Sequence, residues 1–72
     1  MSRDNIVTRF GRRIRKIRES KNMNQTVLAE RIGTDQSTIS LIENGRQEPR
    51  LTFIEMLAKG LRVPICDLFK DL

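Results

Sequence analysis

A single glycine splits residues 25–46, QTVLAERIGTDQSTISLIENGR, into two short amphipathic segments, and this hairpin constrains the rest of the chain. On the first segment, Val27, Leu28 and Ile32 mark an apolar side, and Ala29 is small enough for close approach. Gly33 readily takes the left-handed conformation that ends a helix. Thr34 or Asp35 then caps the next helix, although Thr34 with Ser37 lacks the acidic third residue of a capping box. On the second segment Ile39 and Ile42 lie three apart and face inward, while Gln36, Ser37, Ser40 and Asn44 fall largely on the opposite side. An ordinary helical hairpin with a solvated polar face fits this stretch about as well as one with a working polar face.

Length and charge narrow the choice. Seventy-two residues allow one domain, 1–72, with a small core. One cysteine permits no internal disulfide, and without histidine it builds no zinc cluster. No apolar run approaches the roughly 20 residues that span a bilayer, and the amino terminus lacks the apolar core of a signal peptide. The expectation is an intracellular, cytoplasmic protein with no membrane, metal or cofactor partner. The net charge of +5 is unevenly spread. Residues 1–22 carry eight cations (Arg3, Arg9, Arg12, Arg13, Arg15, Lys16, Arg18, Lys21) against Asp4 and Glu19, whereas the other fifty residues sum to minus one. Such a block suits a polyanion such as DNA. A solvated face that keeps the protein in solution and a membrane-surface helix are the competing readings. With this charge beside it, the hairpin reads as a helix-turn-helix, about 25–44, whose second helix can enter a major groove.

The remaining segments are patterned to pack around that unit. Asp4 or Asn5 caps a first helix, on which Val7, Phe10, Ile14 and Ile17 form one apolar face. Arg18 lies beside that stripe and is the best candidate for a partly buried partner of an acid. Met23 plugs irregular space between helices. Asn24 caps the second helix, and Gln25 stands where exposed N–H groups favour a phosphate. Gly45 stops the helix, and Arg46 and Arg50 flank the loop 46–50, RQEPR, as candidate phosphate contacts, as is Asn44 before them. A fourth helix runs from about Leu51 or Thr52 to Leu61, with Thr52 and Glu55 at capping-box spacing. Its buried set is Phe53, Ile54, Leu57, Ala58 and Leu61, with Val63 beneath the following turn. Pro64 opens a last short helix lined by Ile65, Leu68, Phe69 and Leu72. So many apolar residues in so small a chain leave some exposed unless a partner covers them, so those four are expected to form a homodimer interface. Closure of the monomer's own core is the alternative. Cys66 is expected to be a small core or interface residue rather than a nucleophile.

This ordered set resembles the phage repressor and Cro, or XRE, family of helix-turn-helix DNA-binding proteins. The resemblance rests on IRKIRESKNMNQTVLAERIG at 14–33, STISLIENG at 37–45, Pro49, LAKGLRV at 57–63 and DLF at 67–69. It implies an all-α, compact five-helix domain that binds double-stranded operator DNA, usually as a two-fold dimer. By resemblance, Gln25 contacts the DNA backbone and Gln36 reads a base, with Ser37 and Ser40 beside it. Leu41 is placed to touch a thymine methyl, or is simply a partly covered surface leucine. Arg46 holds a phosphate. Glu43 pairs with Arg18 in a structural ion pair between the first and third helices.

The function expected is sequence-specific DNA binding by a small transcriptional regulator of its own or a neighbouring operon. Restriction-modification controller proteins, which can also touch RNA polymerase, are one subclass implied by the resemblance. An antitoxin-type regulator that also binds a toxin is an alternative, as is a protein-binding helical module without direct DNA recognition. Enzymatic activity is poorly supported, since no histidine, metal cluster or glycine-rich phosphate loop is present.

Overall fold

The computed structural model describes residues 5–72. Asp4, the alternative cap for the first helix, and Arg3 of the basic block lie outside the described residues. Four α-helices follow in order: α1 (Ile6–Ser20), α2 (Gln25–Ile32), α3 (Gln36–Glu43) and α4 (Leu51–Leu61), then a 3₁₀ segment, Ile65–Phe69. The described residues hold no strand, and no helix is long and apolar enough to cross a membrane.

Local chemistry sets most of the boundaries. Asn5 caps α1, its Oδ1 accepting from the Thr8 backbone N–H at 3.1 Å. Asn24 caps α2 by accepting from Val27 N–H at 2.8 Å, and Asp35 caps α3 by accepting from Thr38 N–H at 2.8 Å. Asp35, not Thr34, is therefore the cap. Hydrogen bonds from Thr38, through its side chain and its backbone N–H, hold the Asp35 carboxyl below the usual range. Gly33 ends α2 at φ +74°, and the Thr34 N–H bonds the Ala29 carbonyl across it at 2.9 Å.

α4 spans the expected residues, but its expected cap does not form. The cap of α4 is Arg50, which makes no side-chain capping bond, so Thr52 already lies inside the helix and the Thr52–Glu55 spacing caps nothing. The left-handed residue ending α4 is Arg62, at φ +61°, not a glycine. Gly60 is instead buried within the helix, where a methyl group would stand 2.5 Å from Ile32 Cγ2. Its smallness lets α4 lie against α2. The last helix is 3₁₀, in keeping with its five-residue length.

The core draws on every element. Ile14, Leu28, Ile39, Ile42, Leu57, Leu61 and Leu68 are essentially inaccessible to solvent, and Phe10, Ile17, Met23, Ala29, Ile32 and Ala58 close around them. Phe53, Ile54, Val63 and Leu72 are half-buried against this cluster. The Phe10 and Phe69 rings meet at 5.3 Å, fastening the 3₁₀ segment to α1. From the same segment the Asp67 carbonyl accepts from Arg13 Nε at 2.8 Å.

Leu68 corrects the expected interface set. It is fully buried in the monomer, so it packs the core and offers nothing to a second copy. Leu72 is half-buried against the same core, whereas Ile65 and Phe69 remain 43% and 45% exposed. Cys66 is exposed, which excludes the core role expected for it.

Candidate nucleic-acid interface

The pose of α3 is set by what it meets on α1. At Gly11 the helices approach so closely that a methyl group would lie 2.2 Å from the Ile42 carbonyl oxygen and 2.8 Å from that of Glu43. One turn pair further along α1, Arg18 grips the same end of α3. Its Nε donates to Glu43 Oε2 at 2.6 Å and its Nη2 to Glu43 Oε1 at 2.9 Å, with both side chains buried. A third donor, Nη1, reaches the Met23 carbonyl at 2.7 Å. The hydrogen bond to Glu43 is the largest cause raising the Arg18 pKa above its ordinary value, against a desolvation that lowers it. The planar fork of guanidinium on carboxylate fixes direction as well as distance.

From Glu43 the polar contacts continue outward. Gln25 Nε2 donates to Glu43 Oε1 at 2.9 Å, and Gln36 Nε2 donates to Gln25 Oε1 at 2.5 Å. The polarity of this chain follows from its buried end. Arg18 only donates and the Glu43 carboxylate only accepts, so Gln25 must turn its NH₂ group inward and its oxygen outward. Gln36 must then turn its own NH₂ group to Gln25. Its carbonyl oxygen and its second amide hydrogen are left pointing away from that bond.

The other sequence-derived candidates are arranged around Gln36. Ser37 and Asn44 are exposed and Ser40 is half-buried; Asn44 Nδ2 donates to Ser40 Oγ at 3.3 Å. Leu41 is 40% exposed on the same helix. Arg46 and Arg50 are exposed in the following loop. That loop is anchored by Gly45 at φ +71°, by the Arg46 N–H bonded to the Leu41 carbonyl at 2.9 Å, and by the packing of Gly45 on Thr8 of α1. Phe69 lines a shallow, largely apolar groove of about 170 Å³ with Ile6 (51% exposed), Val7, Phe10, Pro49, Ile54 and the charged Glu48.

Sequence reasoning did not single out Gly11, the Gln25–Glu43 bond, or exposed Ile6 and Leu51, which is 76% exposed. Gly11 carried a signal: a glycine inside an otherwise periodic helix points to a packing reason. The Gln25–Glu43 bond carried none, since their eighteen-residue separation shows no pattern. Among the described residues no group of three His, Cys, Asp or Glu side chains could hold a metal ion.

Comparison with known proteins agrees with this geometry. Residues 14–68 match the helix-turn-helix family model. The chain is 39% identical over 62 residues to the cryptic phage CTXphi transcriptional repressor RstR of Vibrio cholerae, covering 86% of this chain and 56% of that protein, so it spans little more than half of that relative. It is 33% identical over 70 residues to the control protein C.MunI of a Mycoplasma species, covering 96% of this chain and 95% of that one. Its fold superposes with a TM-score of 0.83 at 31% identity, over 89% of this chain and 84% of the other, on the restriction-modification controller protein C.Esp1396I, solved as a tetramer with its natural 35 base-pair operator. The fold is that of a DNA-binding regulator, and the chain belongs to the XRE-like helix-turn-helix family, alongside phage repressors and restriction-modification controller proteins.

Proposed function

We propose that this protein binds an operator in double-stranded DNA as a homodimer and regulates transcription of its own or a neighbouring operon. In this reading α3 lies in the major groove and Gln36 faces a base edge. The observation that carries it is the hydrogen-bond chain Arg18–Glu43–Gln25–Gln36, which fixes the amide of Gln36 before any DNA arrives. An amide held with one hydrogen and its oxygen outward matches adenine, which offers N7 as acceptor and the N6 amino group as donor. Guanine offers two acceptors on that edge and would leave the glutamine oxygen facing another oxygen.

Ser37, Ser40 and Leu41 complete the base-facing group. Gln25, with a second amide hydrogen beyond its bond to Glu43, joins Asn44, Arg46 and Arg50 as phosphate contacts that fix register. The dimer interface in this proposal uses Ile65 and Phe69 with Ile6 and Leu51, and Leu72 at its edge. C.Esp1396I, a tetramer on its operator, supports assembly of this fold on DNA, and RstR and C.MunI support a role in control. A dimer beside a promoter either blocks RNA polymerase or touches it.

Selection of bound sequences from a randomised duplex pool tests the function. The expected result is enrichment of a two-fold symmetric site whose half-sites are about 34 Å apart, with adenine fixed at one position of each. A pool that stays random after repeated rounds contradicts the proposal.

A further inference from the structure

We propose that this protein senses the methylation state of its operator: the Gln36 amide accepts an adenine whose N6 amino group is unmodified and rejects N6-methyladenine. Such sensing rests on the proposed reading of adenine by Gln36 and adds regulation through the DNA itself. Its basis is an amide that cannot turn. Gln36 Nε2 donates to Gln25 Oε1 at 2.5 Å, and Gln25 Nε2 donates to Glu43 Oε1 at 2.9 Å. Glu43 is buried and accepts two further bonds from Arg18. Flipping Gln36 would set its oxygen against the oxygen of Gln25. Flipping both glutamines would set the Gln25 oxygen against the Glu43 carboxylate. The outward atom of Gln36 beside its second amide hydrogen is therefore an acceptor, held in place from the core.

Paired adenine commits one N6 hydrogen to thymine and turns the other into the major groove beside N7. A methyl group on N6 that preserves the pair must take that second position. It removes the hydrogen that Gln36 Oε1 accepts and puts a carbon in its place. An N–H···O bond spans about 2.9 Å and a C–N single bond about 1.45 Å, so the methyl carbon would stand about 1.5 Å from Oε1. Carbon and oxygen come into contact at about 3.3 Å. Gln36 would have to withdraw, and withdrawal breaks its bond to Gln25. An unanchored glutamine swings aside at little cost; this one does not. Nor does α3 offer the methyl group an apolar pocket. Its exposed apolar side chain, Leu41, lies about 7.5 Å further along the helix axis. Ser37 and Ser40, nearer to Gln36 on the outward side, are polar.

The test uses the full chain and synthetic duplexes of the selected operator, compared by fluorescence anisotropy. One duplex is unmodified, and one carries N6-methyladenine at the fixed adenine of each half-site. A third carries it only at adenines placed outside the half-sites, and a fourth has guanine–cytosine in place of each fixed adenine–thymine pair. The natural protein is expected to lose about tenfold in affinity per methylated half-site, or about a hundredfold for both. Methylation outside the half-sites is expected to change affinity by less than about twofold. Gln36→Ala is expected to bind methylated and unmodified operators within about twofold of each other, because the group that meets the methyl is gone. Gln25→Ala releases the amide, and its loss on methylation is expected to be smaller than that of the natural protein. Loss of affinity for the guanine duplex with equal binding of methylated and unmodified operators would overturn methylation sensing and leave the adenine reading standing. An undiminished loss in Gln36→Ala would assign the effect to DNA shape and overturn it too. An undiminished loss in Gln25→Ala would show a rejection that needs no anchored amide, which also contradicts it. An operator bound without dependence on adenine would overturn both readings.

Discussion

Arg18 and Glu43 are joined by two hydrogen bonds, at 2.6 and 2.9 Å, across twenty-five residues of chain. This buried pair ties the carboxyl end of α3 to α1, and it sets the polarity of the side chains that run out to Gln36. Removing one partner leaves the other charge buried without compensation. Glu43→Ala is expected to lower unfolding free energy by about 3 kcal/mol in urea denaturation. Arg18→Met with Glu43→Leu should cost less than either single change, because it leaves no unpaired charge. A stability unchanged in Glu43→Ala would show that the pair adds nothing to the fold.

Gly11 makes a second, opposite-signed test of the same junction. In an exposed helix, replacing glycine with alanine gains about 1 kcal/mol. Here the added methyl would lie 2.2 Å from the Ile42 carbonyl oxygen, so α1 and α3 must separate. Gly11→Ala should therefore destabilise by about 1–3 kcal/mol in the same assay. Gly33→Ala meets open space but holds φ +74°, so its cost should come from backbone strain alone, about 1 kcal/mol.

Much of this architecture was legible in the sequence, and the exceptions share a cause. Val27, Leu28, Ile32, Ile39 and Ile42 announced two helices, and Asn24 and Gly33 announced where the first begins and ends, because caps and periodicity are local. The pairing of Arg18 with Glu43 came from family resemblance, since no local pattern links them. Thr52 looked like a cap, but α4 begins at Leu51 and Thr52 lies inside it. Gly60 is held small by Ile32 of α2, a neighbour distant in sequence. Leu68 and Ile65 looked equivalent in a four-residue apolar set, but Leu68 is fully buried and Ile65 is 43% exposed, a difference set by what each meets in the folded chain and not by local spacing.

Arg46 tests the clamping of the DNA backbone. Arg46→Ala should weaken binding to all duplexes nearly equally and shallow the log–log salt slope by roughly one unit. Arg50→Ala should have a smaller effect. A salt titration with unchanged slope would exclude a close phosphate contact at Arg46.

Self-association tests the apolar surface around the 3₁₀ segment. Sedimentation equilibrium from low to high micromolar protein is expected to show a dimer that Phe69→Glu dissociates, since Phe69 is 45% exposed beside exposed Ile65. A mass near 8.4 kDa across that range would contradict a dimer in solution.

Base reading by Gln36, held by Gln25, Glu43 and Arg18, is measured by fluorescence anisotropy on the selected operator and on a scrambled duplex, for the natural protein and Gln36→Ala. Gln36→Ala is expected to lose roughly 1–3 kcal/mol on the operator and almost nothing on the scrambled duplex. Equal losses on both duplexes, or no loss on the operator, would contradict it.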